Sequence, residues 1–490
     1  MKDIAIIGSG VGGLALSIRM AIKGASVTVF EANSYPGGKL SEINIGNYRF
    51  DAGPSLFTLP YLVDELFELS DNENLVTFEY EKLKEICTYF WDDGIRFTVP
   101  SSVVDFDSLV HKELGENKGQ IIKYLADSSF KYKILNGLFL ERSLHLFSTW
   151  FSKSALSGYL NLPKMGIFST LNEHNKRFFK NPKTIQMFNR YATYNGSNAY
   201  KTPATMSIIP HLEYNIGAFF PKDGMYGITQ SLYNLAISKG VKINFKSRVD
   251  EIVIGNGKAK SLVVNGQSTS NFDAIVSNMD VTPTYRNLMP KQKAPNKILN
   301  QEKSGSGLIF YWGIKRQFSE LGLHNIFFSN NYEEEFKSQF QKNTIYDDPT
   351  IYLNVTSKHK TDDAPVGCEN WFILINAPAN KGQDWDLIIE KTRQNIIIKL
   401  NSVLKVNLID FIECEEILDP RSIQIKTSSD QGALYGNSSN NIFSAFLRHP
   451  NFSSSIENLF FVGGSVHPGG GIPLALSSAK ITSDFLARLL

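Results

Sequence analysis

Cysteine is scarce in this chain of 490 residues, and its three cysteines, Cys87, Cys368 and Cys414, stand far apart. An odd number of isolated cysteines indicates neither a disulfide framework nor a zinc site, and we predict no metal. Net charge is also nearly absent, because 50 basic side chains balance 48 acidic ones. The chain therefore lacks the overall positive field that would attract nucleic acid, and we predict no such partner.

A secretory signal is missing too, since no basic and apolar leader precedes DIAIIGSG at residues 3–10. We therefore expect a cytoplasmic protein. One uncharged run, residues 459–479, has the length of a membrane span. Its glycines and prolines would break a helix exposed to lipid, so we reject that interpretation. These residues are Gly463, Gly464, Pro468, Gly469, Gly470, Gly471 and Pro473.

The amino-terminal residues 3–31 have the pattern of a βαβ unit: a strand, a glycine turn, a helix ending near Gly24 and a second strand. Gly8, Gly10 and Gly13 have the G-x-G-x-x-G spacing, which allows the turn, the approach of a pyrophosphate and close packing of helix on strand. Glu31 ends the second strand, where a carboxylate accepts hydrogen bonds from a ribose without a 2′-phosphate. The unit predicts a bound dinucleotide; the alternative is a purely structural turn.

Further glycine motifs follow the βαβ unit and recur near the carboxyl end. They are PGGK at 36–39, DAGPS at 51–55, GALYG at 432–436 and GGSVHPGGGIPLALSSAK at 463–480. In this order the motifs resemble those of the FAD-dependent amine oxidase and phytoene desaturase superfamily, and more narrowly its bacterial carotenoid desaturases. The resemblance covers nearly the whole chain and implies that the dinucleotide is FAD.

The resemblance also implies the fold and the cofactor residues. We expect an α/β protein with a Rossmann-like FAD-binding domain in discontinuous segments, a mixed α+β substrate domain and a helical membrane-facing region. The predicted segments are FAD-binding parts at 1–80, 222–290 and 425–490, a substrate and membrane-docking region at 81–221, and a substrate domain at 291–424. The predicted cofactor-binding residues are Gly8, Gly10, Val11, Gly12, Gly13, Glu31, Ala32, Gly37, Gly38, Lys39, Gly53, Pro54, Ser55, Val249, Gly463, Gly464, His467, Gly470, Gly471, Ile472 and Pro473.

Two of these residues have competing roles. Val249 matches the position whose backbone holds the adenine in similar proteins, but it would serve equally in sheet packing within GVKINFKSRVDEIVI, residues 240–254, which alternates as a strand does. His467 corresponds to a histidine that is usual near the flavin. It would either shape the glycine turn or move protons.

The segment from Lys131 to Lys180 contains eight basic residues and two acidic ones. It also carries Leu140, Leu144, Phe147 and Phe151 at helical spacing, with Trp150 beside them. A basic amphipathic surface of this kind enters the headgroup zone of an anionic membrane. The alternative is a solvated helix whose apolar stripe lies in the core.

The resemblance implies dehydrogenation of a carbon–carbon bond beside a polyene, by transfer of a hydride to FAD. The stretch QGALYGNSSNNIFSAFLRHPN, residues 431–451, is more similar to hydroxycarotenoid 3,4-desaturases than to phytoene desaturases. We therefore expect a 3,4 double bond to be introduced into a 1-hydroxylated acyclic carotenoid. The terminal electron acceptor, oxygen or a quinone, stays open.

Candidate proton acceptors are His211 and Glu213, in PHLEYNIGAFF just before the second cofactor segment. Their alternative role is that of polar residues at a domain hinge. Three other functions remain open: a phytoene or lycopene-forming desaturase, a flavin amine oxidase, and a binding protein similar to the Rab GDP-dissociation inhibitors. The intact glycine motifs at both ends argue against the last.

Overall fold

The structure is a computed structural model that describes residues 1–70, 78–444 and 447–488. Residues 71–77 of the first predicted segment, and Ala445 and Phe446 of the stretch used to predict the subgroup, lie outside the described residues.

The described part of the chain forms nineteen β-strands and fourteen α-helices. The strands are β1 (Asp3–Ile7), β2 (Ser26–Phe30), β3 (Glu42–Ile45), β4 (Tyr48–Asp51), β5 (Tyr80–Lys82), β6 (Glu85–Phe90), β7 (Arg96–Pro100), β8 (Phe219–Pro221), β9 (Lys242–Asn244), β10 (Val249–Gly255), β11 (Lys258–Val264), β12 (Gln267–Ser268), β13 (Ala274–Ser277), β14 (Ser306–Ile314), β15 (His324–Phe327), β16 (Ile351–Asn354), β17 (Glu369–Ala377), β18 (Ile412–Leu418) and β19 (Leu459–Phe461). The α-helices are α1 (Val11–Ile22), α2 (Tyr61–Glu68), α3 (Val103–Leu114), α4 (Gln120–Leu135), α5 (Lys153–Leu160), α6 (Leu171–Phe178), α7 (Pro182–Asn189), α8 (Tyr226–Ser238), α9 (Val281–Pro283), α10 (Asn296–Leu299), α11 (Tyr332–Lys337), α12 (Trp385–Leu404), α13 (Pro420–Thr427) and α14 (Ile472–Leu486).

A parallel sheet holds the two chain ends together. Its strand order is β19-β13-β1-β2-β9, so strands distant in sequence are neighbours in space. Helices α1, α8 and α14 bury their apolar side chains against this sheet, which is why Leu14, Leu232 and Leu476 are all buried in one core. Because parallel strands present their carboxyl ends at one edge, the turns after β1, β13 and β19 meet there.

The second large sheet is mixed, with the order β18-β14-β17-β16-β15-β6-β7. Strand β14 is buried along its whole length, and its Trp312 pairs across the sheet with Trp371 of β17. Helix α12 covers this face, since Ile396 and Leu400 share a core with both tryptophans. The fold class is the expected α/β arrangement of a parallel-sheet unit joined to a mixed α+β unit.

One predicted strand is wrong in its extent. Residues 240–254 form two strands, β9 and β10, which belong to different sheets. The chain turns at Lys246, whose φ of 52° takes it out of extended conformation.

The predicted amphipathic helix around residues 140–151 is also wrong. Helix α4 is followed by a π-helical turn, Asn136–Leu140, and a separate 3₁₀ turn, Phe147–Phe151. Leu144 is therefore buried, whereas Phe147 and Phe151 are 81% and 75% exposed. Lys131, counted among the basic surface residues, is buried and paired with Asp127 at 2.8 Å. None of the described helices combines the length and the apolar character needed to cross a bilayer.

Candidate active site

A large cavity lies between the parallel sheet and the mixed sheet. It has a volume of about 1620 Å³ and is lined by turns from the first, middle and last parts of the chain. Ligand pockets usually measure roughly 300 to 1,000 Å³, so this space is large enough for more than one small molecule. The predicted cofactor residues that line it are Gly8, Gly10, Val11, Gly12, Glu31, Ala32, Gly37, Gly38, Lys39, Gly53, Pro54, Ser55, Val249, Gly463, Gly464, Gly470, Gly471, Ile472 and Pro473. Gly13 and His467 are the two that do not.

Gly13 lies outside the cavity lining, and its lack of a side chain allows α1 to pack closely on the turn after β1. A Cβ at this position would collide with the carbonyl oxygen of Gly8 and crowd the side chain of Asn278. The Gly13 amide donates a hydrogen bond to Asn278 Oδ1 at 3.1 Å, and Asn278 Nδ2 donates to the Val462 carbonyl at 3.1 Å. Asn278 thus ties the first glycine turn to the last, a role that the sequence did not reveal.

Glu31 is buried at the end of β2 and faces the cavity. Its Oε2 accepts hydrogen bonds from the amide and hydroxyl of Ser9, both at 2.8 Å, and its Oε1 accepts from the Asn33 amide at 2.9 Å. Oε1 also accepts from Asn33 Nδ2 at 3.0 Å, so four donors hold the carboxylate, and a ribose hydroxyl would replace one of the two side-chain donors, the Ser9 hydroxyl or the Asn33 amide. The position is that expected for binding ribose hydroxyls.

The turn before α1 has the shape of a dinucleotide cradle. Gly10 and Gly12 line the cavity without side chains, and a Cβ on Gly12 would lie only 3.1 Å from Cα of Gly463 in the opposite turn. Helix α1 begins with Val11 and Gly12 at this space, where the positive end of the helix dipole favours a negatively charged group. The residues present therefore fit the pyrophosphate and adenosine parts of FAD.

Lys39 joins the first and third parts of the chain at the cavity wall. Its ammonium group donates to the carbonyl oxygens of Leu434 at 2.8 Å and Ala433 at 3.2 Å. Burial lowers the pKa of Lys39 to about 8, opposed by the negative charge of Asp280. Burial in turn raises the pKa of Asp280, which also lines the cavity.

The carboxyl-terminal glycine turn delivers α14 to the cavity. Gly470 packs so closely on Tyr435 that a Cβ would lie 2.8 Å from its ring. His467 points away from the cavity lining, and its Nε2 lies 2.9 Å from the Arg142 carbonyl. Burial lowers the pKa of His467 to about 4, so the ring is neutral at physiological pH. In this structure His467 connects the turn to the helical region.

Beyond the glycine turns the cavity becomes apolar. Side chains of the helical region line it, among them Leu135, Leu138, Phe139, Met165 and Ile208. At the outer end lie Tyr159 and Leu162, which line the cavity and are also exposed on the surface. The apolar chamber therefore connects the glycine turns to the surface of the helical region.

A polar group interrupts the apolar lining. Glu213 is buried and lines the cavity. Its Oε1 lies 3.3 Å from Arg190 Nη2 and accepts a hydrogen bond from the Tyr191 hydroxyl at 3.0 Å. Its Oε2 accepts a hydrogen bond from the Tyr194 hydroxyl at 2.7 Å. His211, the other predicted proton acceptor, lies outside the lining. Its Nδ1 is 2.7 Å from Asn215 Nδ2 and its ring packs on Tyr132.

Metal ligands are not grouped anywhere in the part of the chain that the structure describes, since no three His, Cys, Asp or Glu side chains come together to hold an ion.

Comparison with known proteins agrees with this arrangement. A family model described as flavin-containing amine oxidoreductase matches residues 11–486. The chain is 50% identical over 486 residues to a 1-hydroxycarotenoid 3,4-desaturase from Flavobacterium sp. strain P99-3, covering 99% of each chain. It is 31% identical over 501 residues to a 4,4′-diapolycopene oxygenase from Methylomonas sp., covering 99% of this chain and 97% of the other. A solved putrescine oxidase bound to putrescine has a TM-score of 0.65 at 12% identity, covering 99% of both chains, and shows the shared fold alone.

Proposed function

Because the chain belongs to the flavin-containing amine oxidoreductase family, we propose that it is an FAD-dependent carotenoid desaturase. It introduces a 3,4 double bond into an acyclic carotenoid that carries a hydroxyl group on carbon 1. The observation that carries this proposal is the likeness to the Flavobacterium desaturase over nearly the full length of both chains. The cavity supports it, because an apolar chamber beside the glycine cradle suits a polyene.

The chain's own residues would hold FAD along the glycine turns. Glu31 would bind the adenosine ribose, and the amides before α1 would bind the pyrophosphate. Gly53, Pro54 and Ser55, with the turn at Gly470, would enclose the ring end. When bound, FAD supplies the acceptor for a hydride from one carbon of the 3,4 bond.

The remaining hydrogen leaves the adjoining carbon as a proton, and the apolar chamber keeps bulk water away from the site. Of the two predicted acceptors, Glu213 lines the cavity, so we assign the proton to its carboxylate. The variant Glu213→Gln keeps the shape but cannot accept a proton. A lower kcat with unchanged substrate binding is expected, and an unchanged kcat would remove Glu213 from the mechanism.

The substrate would enter from a lipid bilayer through an exposed apolar patch. We define this apolar patch as Phe147, Phe151, Leu156, Tyr159, Leu160, Leu162 and Phe168, all exposed, with Phe168 at 84% and Leu160 at 76%. Contiguous exposed apolar side chains of this kind mark interaction sites. Lys153 and Lys164 are exposed beside them and would attract anionic headgroups. Tyr159 and Leu162 then lead into the chamber.

The experiment is turnover of the FAD-loaded protein with a 1-hydroxylated carotenoid and with its unhydroxylated analogue. Without oxygen, bleaching of the flavin and a shift of the polyene absorption to longer wavelength are expected with the hydroxylated compound. Readmission of oxygen, or addition of a quinone, then identifies the electron acceptor by return of the flavin colour.

Other outcomes would replace the proposal. Reaction with the unhydroxylated compound alone would indicate a phytoene or lycopene-forming desaturase. A product that has gained oxygen would favour the reaction type for which the Methylomonas relative is named. Reaction with an amine and with neither carotenoid would refute the carotenoid assignment.

A further inference from the structure

Three side chains on the cavity wall, each at least nine-tenths buried, carry a polar atom that has no hydrogen-bond partner among the described residues. They are Nε2 of His324, Nε of Arg190 and the hydroxyl of Tyr332. Each residue lines the cavity and is at least nine-tenths buried, with His324 only 4% exposed. Buried polar groups are almost always hydrogen-bonded, so three unpaired atoms on residues that line one cavity point to a polar ligand bound at this wall. We call this set the polar wall.

The proton on His324 can be assigned from its neighbours. Asn354 Nδ2 lies 3.2 Å from His324 Nδ1, and the same amide nitrogen donates to the Leu323 carbonyl at 2.9 Å. The carbonyl can only accept, which fixes the nitrogen of Asn354 on this side and makes His324 Nδ1 an acceptor. Burial lowers the pKa of His324 to about 3, so the ring is neutral. The single proton therefore sits on Nε2, which is a donor without an acceptor.

The polar wall is connected to the predicted flavin turn. His324 Nδ1 is 2.8 Å from the hydroxyl of Tyr352, and this hydroxyl is 2.7 Å from Oγ of Ser55. Ser55 follows Gly53 and Pro54 in the turn that would enclose the ring end of FAD. Two hydrogen bonds thus link His324 to the region in which the hydride would be transferred.

The position of the hydroxyl group in the substrate suits this arrangement. In a 1-hydroxylated carotenoid that is desaturated at the 3,4 bond, a single carbon separates the hydroxyl-bearing carbon from the reacting bond. The hydroxyl group must therefore lie beside the reacting end of the cavity, not at its outer opening. An unpaired hydroxyl group buried there would be costly, and the site needs a donor or acceptor for it.

We propose that His324 recognises the substrate by donating a hydrogen bond from Nε2 to the oxygen of its 1-hydroxyl group, with Tyr332 and Arg190 completing the polar wall. This inference rests on the proposed function. The hydroxylated end then enters first and reaches the polar wall, while the polyene extends back through the apolar chamber towards Tyr159 and Leu162. His324 is a specificity-determining residue and moves no proton in the reaction.

The test compares kcat/KM for the hydroxylated carotenoid and for the analogue with hydrogen in place of the hydroxyl group. The variant His324→Phe keeps a flat ring and removes the donor. We expect the preference for the hydroxylated compound to fall by about tenfold to a hundredfold, because the loss applies to that compound only. The variant His324→Gln retains an N–H donor and should keep a larger part of the preference.

His449 provides the matched control. It is another buried, neutral histidine, but it lies outside the cavity lining and both ring nitrogens have partners, Tyr285 and the Pro450 carbonyl. His449→Phe should alter turnover of both carotenoids equally and leave the preference unchanged. A general loss of structure would also lower the turnover of both carotenoids equally. A change in the preference between them therefore shows a loss of substrate recognition and not a loss of folding.

The wild-type protein supplies a measurement that needs no variant. Its dissociation constant for the hydroxylated carotenoid, followed by the polyene spectrum, should be at least about tenfold lower than for the analogue. Equal binding overturns the inference. An unchanged preference in His324→Phe also overturns it and assigns the polar wall to water. If the wild type converts neither carotenoid, it is the proposed function that fails.

Discussion

Arg190 Nη2 lies 3.3 Å from Glu213 Oε1, and both side chains are buried. The guanidinium group also lies over the rings of Tyr89, Tyr191 and Tyr194, at 4.8 to 5.5 Å from their centres. Arg190 therefore balances a buried carboxylate at the cavity wall and is itself held by aromatic faces.

Removing this arginine should be strongly destabilising. In Arg190→Met, Glu213 would remain buried without its counter-charge, and we expect unfolding to be easier by about 3 to 5 kcal/mol in urea titrations. The exposed pair Lys258–Glu457 is the control, and Lys258→Met should cost less than about 1 kcal/mol. An equal loss of unfolding free energy in the two variants would show that the buried Arg190–Glu213 pair matters no more to stability than an exposed pair.

Substitution of Gly13 should release the cofactor. In Gly13→Ala the new methyl group would push α1 away from Gly8, and overpacking of this kind costs about 1 to 3 kcal/mol. We expect a purified protein with reduced flavin absorbance and a lower melting temperature. Gly46→Asn is the control, because Gly46 has open space around it and a φ of 58°, which asparagine tolerates. A yellow Gly13→Ala protein of normal stability would contradict the assignment.

Stability should fall on acidification, in part because of His324. Its pKa in the folded protein, about 3, is below the usual 6.5, so the unfolded chain binds the proton more tightly. The stabilisation is present above pH 6.5 and is lost as the pH falls towards 3. Between pH 6.5 and pH 5 the wild type should lose about 2 kcal/mol more than His324→Gln in urea titrations. Parallel pH profiles for the two proteins would be inconsistent with a neutral, buried His324.

The apolar patch should determine binding to lipid vesicles. In the double variant Phe147→Ser and Phe151→Ser, two rings no longer enter the bilayer, and we expect partitioning into anionic vesicles to fall at least about tenfold. Added salt should weaken the wild type further through Lys153 and Lys164. Val366→Ser removes a fully exposed apolar side chain elsewhere and should have no effect. Unchanged partitioning of the double variant would refute the docking surface.

The cofactor cradle was predictable because its signals are local. The glycines from Gly8 to Gly13 and Glu31 lie within one βαβ unit, where spacing alone specifies the geometry. Lys39 was predicted at the cofactor from the family resemblance of the PGGK motif, but its partner Leu434 is distant in sequence and could not be predicted. Asn278 was missed for a similar reason, since an asparagine after a buried strand has no distinctive pattern until the neighbouring turn is known.

The polar wall could not be predicted at all. Arg190, His324 and Tyr332 come from different elements, and each would pass as an ordinary polar residue of a helix or strand. For the apolar patch, the sequence pattern predicted a structure that does not form. Helical spacing grouped Leu144 with Phe147 and Phe151, but the break after α4 turns Leu144 inwards and the two phenylalanines outwards. Periodicity identifies a face only while the helix continues.

The order of strands in the parallel sheet bears on how the protein is made. Strand β13 receives its outer neighbour β19 from residues 459–461, so this edge stays open until most of the chain has been synthesised. The turn that completes the cradle follows β19 directly. Nascent chains on the ribosome therefore have to wait for β19 and the turn after it before they can capture the cofactor, and an apolar strand edge stays open to aggregation in the meantime.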